Sequence, residues 1–208
     1  MLTREDKKYI VELVRKETPT ILEEINFDPL VKEVGHSYCD RYEDECVKML
    51  KKYSSDFTDP TEVRSLDDIK YKDHYINIKF GYKKNGHPNL CSGNKLFDYL
   101  YQDIIDSYYV LSVDANGPEY QFYDVYEYIT LDCFTYNAGP QQFMIKESKI
   151  KEEYEFDKKF PPLDKMMILE RICNEMEKSA HDTYKLRMKK IEDKRKKLNG
   201  YKKSSTLF

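Results

Sequence analysis

The spacing of apolar and polar residues changes along the chain, and each change predicts an element. Residues 3–17, in the mixed-charge stretch that begins MLTREDKKYIVELVRK, read as an amphipathic helix. A second helical stretch follows Asp28-Pro29. Its core part is HSYCDRYEDECVKMLKKY, where Tyr42, Cys46, Met49, Leu50 and Tyr53 return on one face. SSDFTDPTE predicts a loop by its Ser, Asp, Thr and Pro content. The period then shifts from 3.6 to 2. In HYINIKFG, Tyr75, Asn77 and Lys79 share one face of a strand while Ile76, Ile78 and Phe80 share the other. With Lys72-Asp73 as a hairpin turn, Tyr71 faces His74, Ile69 faces Ile76, and Asp68 lies opposite Asn77.

Beyond the loop KKNGHPN, the segment LCSGNKLFDYLYQDII predicts a helix. Pro88-Asn89 or Ser92 would supply its start, and Leu96, Phe97, Leu100 and Tyr101 its buried face. SYYVLSVDA predicts a buried strand, QFYDVYEYITLDCFTYN a strand-rich aromatic stretch broken at Gly139-Pro140, and QQFMIKES a short strand. After the loop EFDKKFPPLD, a long helix is expected from Leu163 to Leu198, with Met166, Leu169, Cys173, Met176 and Ala180 at three-four spacing. These elements describe one α/β domain: N-terminal helices over 1–55, a sheet core over 56–150 and a long C-terminal helix over 163–199.

A chain of 208 residues is long enough to bury roughly 70% of its unfolded surface. Nineteen tyrosines and no tryptophan predict a core whose hydroxyls need partners. The five cysteines, Cys39, Cys46, Cys91, Cys133 and Cys173, form no CxxC pair and so suggest neither a disulfide framework nor a thiolate zinc site. They are expected to be reduced core residues of a cytoplasmic protein. No run of 18 apolar residues and no apolar leader segment occurs, so neither export nor a membrane span is expected.

Charge is unevenly distributed. From Lys185 to Lys203 ten Lys or Arg stand against Glu192 and Asp193, a local +8, which subtracted from the chain's −3 leaves −11 for everything else. Such a tail can follow a phosphate backbone; it can equally be a solvated helix end whose cations complement the helix dipole.

The hairpin carries the candidate chemistry. Hydrolysis of a phosphodiester needs a cation to offset charge in the transition state and a positioned water. Magnesium is commonly held by one or two carboxylates together with phosphate oxygens and water. Asp68 and Lys79 fit that need, with Asn77 standing where a second carboxylate belongs. An amide oxygen can still coordinate, but neutrally. Strands with Asp and Lys on one face are common, and D-x(8)-N-x-K alone does not specify a nuclease.

The segment DDIKYKDHYINIKFGYKKNGHPNLCSGNKLFDYL resembles the catalytic segment of type II restriction endonucleases of the EcoRV and HincII kind, in the PD-(D/E)XK nuclease superfamily. Asp68 with Ile69 matches the first Asp and its apolar follower, Lys79 the lysine, and Pro88-Asn89 followed by NKL the loop that opens the next helix. DRYEDECVKML is similar to that family's acidic first-domain helix, with Glu43 the best match to its glutamate and Glu45 the alternate. YNAGPQQFMIK is similar to a strand containing Pro-Gln. The resemblance implies a restriction-endonuclease-like core, sequence-specific Mg2+-dependent cleavage of double-stranded DNA, and a homodimer, since cutting both strands of a palindrome calls for two related sites. Asp68 (or Asp67), position 77 and the Ile78 carbonyl would hold the metal, Lys79 would orient water, and Glu43 would assist. Asn77 departs from the family's Asp or Glu. Three explanations fit: a natural variant recruiting Glu43 or Glu45 for the missing charge, a crippled enzyme, or an engineered knockout.

Other chemistries lack their residues. His36, His74, His87 and His181 are scattered, and no GxxxxGK[ST], GxGxxG or GxSxG motif occurs. Asn137, Gln141 and Gln142 are amides of the type that pairs with adenine, or simply a polar turn. Lys83 and Lys84 could meet phosphates or solvent, and Asn89 could contact DNA or only cap a helix. A DNA-binding protein of the same fold that no longer cuts, and a helical interaction protein without DNA affinity, are the alternatives.

Overall fold

The computed structural model describes residues 1–30, 36–60, 67–81, 89–115, 119–128, 134–146 and 164–205. Helix α1 (Arg4–Glu24) begins at a capping box in which Thr3 and Asp6 exchange hydrogen bonds. It runs past residue 17 and through Pro19. Its second half is held by the buried Ile21 and by Thr18, whose hydroxyl lies 2.7 Å from that of Tyr42. Tyr42 belongs to α2 (His36–Tyr53), which buries Tyr42, Cys46, Met49 and Leu50, whereas Tyr53 is exposed with its hydroxyl on Glu17.

The main sheet contains β1 (Phe57–Thr58), β2 (Ile69–Tyr71), β3 (His74–Gly81), β5 (Tyr108–Asp114) and β6 (Tyr120–Asp124), in the order β1-β2-β3-β5-β6. Among the described strands only the β3/β5 pair is parallel, so the sheet is mixed. One face presents Ile76, Ile78, Phe80, Leu111 and Phe122 to the core shared with α1 and α2. The other presents Tyr75, Tyr108, Val110 and Tyr123 to a second core. Helices therefore flank the sheet on both sides, and the α/β architecture with a long C-terminal helix is as the pattern predicts.

The second core differs from the expectation. Of the two expected helix starts Ser92 is the one used, so Leu90 and Cys91 belong not to the helix but to β4 (Asn89–Ser92), and α3 spans only Gly93–Tyr101. A short apolar run beside a helical pattern is ambiguous by periodicity alone, and pairing with β8 (Gln142–Ile145) decides it. β4, β8 and β7 (Phe134–Asn137) form a separate three-stranded sheet. Gly93 marks the junction: a Cβ there would stand 2.7 Å from the Tyr136 ring. Leu96 and Leu100 are buried as expected, but Tyr101 is exposed, stacked on Phe97. Between β6 and β7 the aromatic stretch breaks into α4 (Val125–Tyr128).

The last helix, α5, runs Lys165–Ser205. It packs with α3 and β7 through Ile168, Leu169, Ile172 and Met176; of the expected stripe Leu169 and Met176 lie on the packed face, while Met166, Cys173 and Ala180 face solvent. Among the described residues no helix is long and apolar enough to cross a membrane.

Candidate active site

Register comes first, because it sets which side chains meet. Lys72 (φ 47°) and Asp73 (φ 65°) both take the left-handed conformation of a two-residue hairpin turn whose twist suits the flanking strands. The resulting register pairs Ile69 with Ile76 and Tyr71 with His74. One step further, the Asp68 N–H donates to the Ile76 carbonyl at 3.0 Å, placing Asp68 beside Asn77.

β2 begins at Ile69, whereas β3 continues past Ile76 to Gly81 with β5 on its far side. The β2-facing backbone groups at the end of β3 therefore need other partners. The Ile78 N–H donates to Asp68 Oδ2 at 2.6 Å. The thiol of Cys39, on α2, donates to the Phe80 carbonyl at 3.1 Å. Strand geometry turns the Ile78 carbonyl to the same edge as its N–H, next to the Asp68 carboxylate.

The side chains converge on the same edge. α2 lies against β3 with Tyr42 stacked on Phe80, ring centroids 4.2 Å apart. The next residue, Glu43, brings its two carboxylate oxygens to 3.2 and 3.3 Å from Lys79 Nζ. Asp68 Oδ2 is 3.8 Å from the same ammonium. These three side chains are 18%, 28% and 19% exposed for Glu43, Asp68 and Lys79, so the cluster is reachable yet poorly solvated. Burial pushes the Glu43 carboxyl up to about 7; the Lys79 ammonium opposes the shift, and Asp68 adds to it. Burial also raises Asp68, against the pull of Lys79 and of the Ile78 N–H.

One lysine is thus shared by two carboxylates, which leaves an excess negative charge when both are ionised. That imbalance fits a divalent cation of the kind that takes one or two carboxylates with the rest of its shell from phosphate and water. Among the described residues no group of three or more His, Cys, Asp or Glu side chains forms a metal-ligand cluster. The candidate donors are therefore few: Asp68, Glu43, the Ile78 carbonyl and the neutral Asn77. Asn77 is 5% exposed on the same strand face as Lys79.

Of the paired alternatives, Glu43 is the glutamate that meets Lys79, whereas Glu45 bonds Lys48 at 2.6 Å nearer the surface. Asp68 is the aspartate that meets Lys79 and Ile78; Asp67 is buried, 5% exposed. A cleft of about 520 Å³ on another flank of α2, lined by Glu24, Asp44 and Glu45 among others, contains none of the converging residues.

The expected DNA-contacting residues that are described are not drawn into this cluster. Lys83 and Lys84 lie outside the described residues. Asn89 starts β4 opposite Met144 and caps no helix. Asn137 and Gln142 form the last pair of the β7/β8 hairpin in the second sheet. Asn137 Oδ1 accepts the Gly139 N–H at 3.1 Å, and the exposed Gln141 (φ 59°) offers its carbonyl to the Gly93 N–H at 3.1 Å. The amides thus cluster at the hairpin turn that leads into β8, where Gln142 starts the strand, and at least Asn137 serves the turn itself.

Two features escaped the sequence reading. Cys39 precedes Glu43 by four residues, the spacing that puts both on one face of a helix. Ser112 and Gln121 continue the row of Lys79 across the sheet, Lys79 opposite Ser112 and Ser112 opposite Gln121, at 3% and 5% exposure for the latter two. A lone serine inside YYVLSVD was the available signal. No protein-family model matches the chain, and no curated protein matches it in sequence.

Proposed function

We propose that this chain is a type II restriction endonuclease with a PD-(D/E)XK core, hydrolysing phosphodiesters of double-stranded DNA with Mg2+ as a homodimer. The observation that carries the reading is the convergence of Asp68, Lys79 and Glu43 on the end of β3 that runs beyond β2. Asp68, the Ile78 carbonyl and Glu43 would hold Mg2+, which supplies the positive charge that offsets the developing charge on the phosphate. Lys79 holds a phosphate oxygen and orients the attacking water. Glu43, raised to about 7 with no metal ion beside it, would give up its proton on taking up Mg2+, because the ion's charge favours the carboxylate. Glu43 then provides the negative charge that Asn77 lacks.

Asn77 itself favours a second reading, a DNA-binding protein of this fold that no longer cuts. Digestion of mixed duplex DNA with Mg2+, followed by sequencing of the ends, decides between them. The Asn77→Asp protein is expected to cut at a fixed site at least ~100-fold faster than the original, an effect of the size that one electrostatic group contributes to catalysis. Lys79→Ala in that background is expected to abolish cutting. Binding without cutting by the original, with cutting by Asn77→Asp, selects the second reading. If neither protein cuts, the nuclease reading fails.

A further inference from the structure

We propose that the distal half of α5 is an arm that docks on the phosphate backbone of duplex DNA, separately from the Asp68–Lys79 edge. The inference goes beyond the nuclease reading and does not require that the centre cut.

α5 behaves as two helices in one. Its first turns are anchored by Ile168, Leu169, Ile172 and Glu175, and beyond Glu175 no described residue of the helix is buried. The helix nonetheless continues to Ser205, sustained by a run of strong helix formers rather than by packing. The projecting part is the +8 segment found in the sequence. Its cations from Lys185 to Lys197 are all exposed, and at 100° per residue they stand on every side of the helix.

Placement makes this charge effective. Lys185 follows Ser179, whose Oγ accepts the Ala138 N–H, by six positions, a rise of about 9 Å. The Debye length at physiological ionic strength is about 8 Å, so the acids of the described residues packed below Ser179 are largely screened from the arm. The stretch Lys185–Lys197 rises about 18 Å, half a turn of duplex, over which the duplex offers one charge per ~1.7 Å.

Two other occupants fit less well. Tyr184, Met188, Ile191 and Leu198 line up at four-three-seven spacing, Met188 half-buried and the other three exposed, as in a coiled-coil seam. Arg195 falls within that line, so self-pairing would set arginine against arginine and +8 against +8. A membrane-surface helix segregates a broad apolar face from its cations, and here the cations surround the helix. A polyanion uses cations on all sides.

The test is fluorescence anisotropy of the full chain with a 30-base-pair mixed-sequence duplex from 50 to 200 mM salt. The variant replaces Lys189, Lys190, Lys196 and Lys197 by Gln, and its control replaces the same four by Arg. The Gln variant is expected to weaken binding at least tenfold at the lowest salt and to lower the slope of log affinity against log salt by about 3. The Arg control should keep both. Equal affinity and slope in the Gln variant overturn the proposal, as does absence of duplex binding by the unaltered chain. Binding to phosphatidylserine/phosphatidylcholine vesicles in preference to duplex, or loss of a dimer in the Gln variant with unchanged duplex affinity, overturns it in favour of a membrane or a second copy. Arm-dependent binding by an Asn77→Asp protein that does not cut would leave the arm standing and remove the nuclease reading.

Discussion

Glu43 and Asp124 are both carboxyls that burial pushes up to about 7, yet their surroundings differ in kind. Asp124 closes a sealed corner. It is 2% exposed, and its Oδ1 accepts the N–H groups of Tyr126 at 3.0 Å and Tyr108 at 3.3 Å, joining β5 to the start of α4. Glu43 holds an open edge, where it accepts from a side-chain ammonium instead of the backbone and shares that ammonium with a second carboxylate. Perturbed titration marks functional and structural sites alike. The nature of the partners separates them: backbone donors fix Asp124 in place, whereas a lysine and a neighbouring carboxylate leave Glu43 with charge that a ligand can balance.

The largest effect expected from this contrast is on folding stability. Asp124→Ala leaves two buried N–H groups without their acceptor and is expected to cost about 2–4 kcal/mol, read from the urea midpoint at an unchanged m-value. Asp124→Asn keeps an oxygen acceptor at the same atom and should recover most of that loss. Glu43→Ala, which leaves Lys79 still facing Asp68, should cost less than about 1 kcal/mol. Equal losses at the two positions would show that the corner and the edge do not differ as described.

The next effect is a pH dependence of defined sign. The unfolded chain releases the Glu43 proton near its ordinary value of 4.5 and the folded chain near 7. Between those values the folded state binds more protons, so stability falls as pH rises. The loss is at most about 3 kcal/mol. Glu43→Gln should therefore match the original at pH 4 and exceed it at pH 8 by about 1–3 kcal/mol. Stability curves that superimpose from pH 4 to 8 would remove the strained carboxylate from the account of the edge.

The edge was more legible in sequence than the corner, for a physical reason. Register follows from strict alternation, and a one-residue slip would put Ile76 and Ile78 on the polar face, so HYINIKFG with its two-residue turn leaves little freedom. Glu43 was reached through resemblance, and its own helix stripe, Tyr42 and Cys46 buried on either side of it, says only that it borders a core. At the corner, QFYDVYEY is aromatic throughout and reads as strand. Asp124-Val125-Tyr126-Glu127 nevertheless has the spacing of a helix start, and α4 begins there. In the second sheet β7 and β8 were legible, FTYN and QQFMIKES both reading as strands, but β4 was not, because it is only four residues long and pairs with β8 across a long separation. Periodicity within a short window does not record such a partner.

The smallest effect bears most directly on what the edge is for. If Asp68 and Glu43 share excess charge over Lys79, Mg2+ should bind the free protein and stabilise it, and only where the carboxylates are ionised. At ten times its dissociation constant a ligand adds about 1.4 kcal/mol, a rise in Tm of roughly 3–6 °C for a chain of this size. That increment is expected at pH 8 and should shrink at pH 5, where Glu43 keeps its proton. Asp68→Asn and Glu43→Gln should each lower it, and Asp124→Asn should leave it intact, because the sealed carboxylate has no room for a hydrated ion. Asn77→Asp should enlarge it by returning a charge to the donor set. An increment equal in all four variants would come from a site elsewhere on the surface, and the open edge would then be an ion pair of the ordinary structural kind.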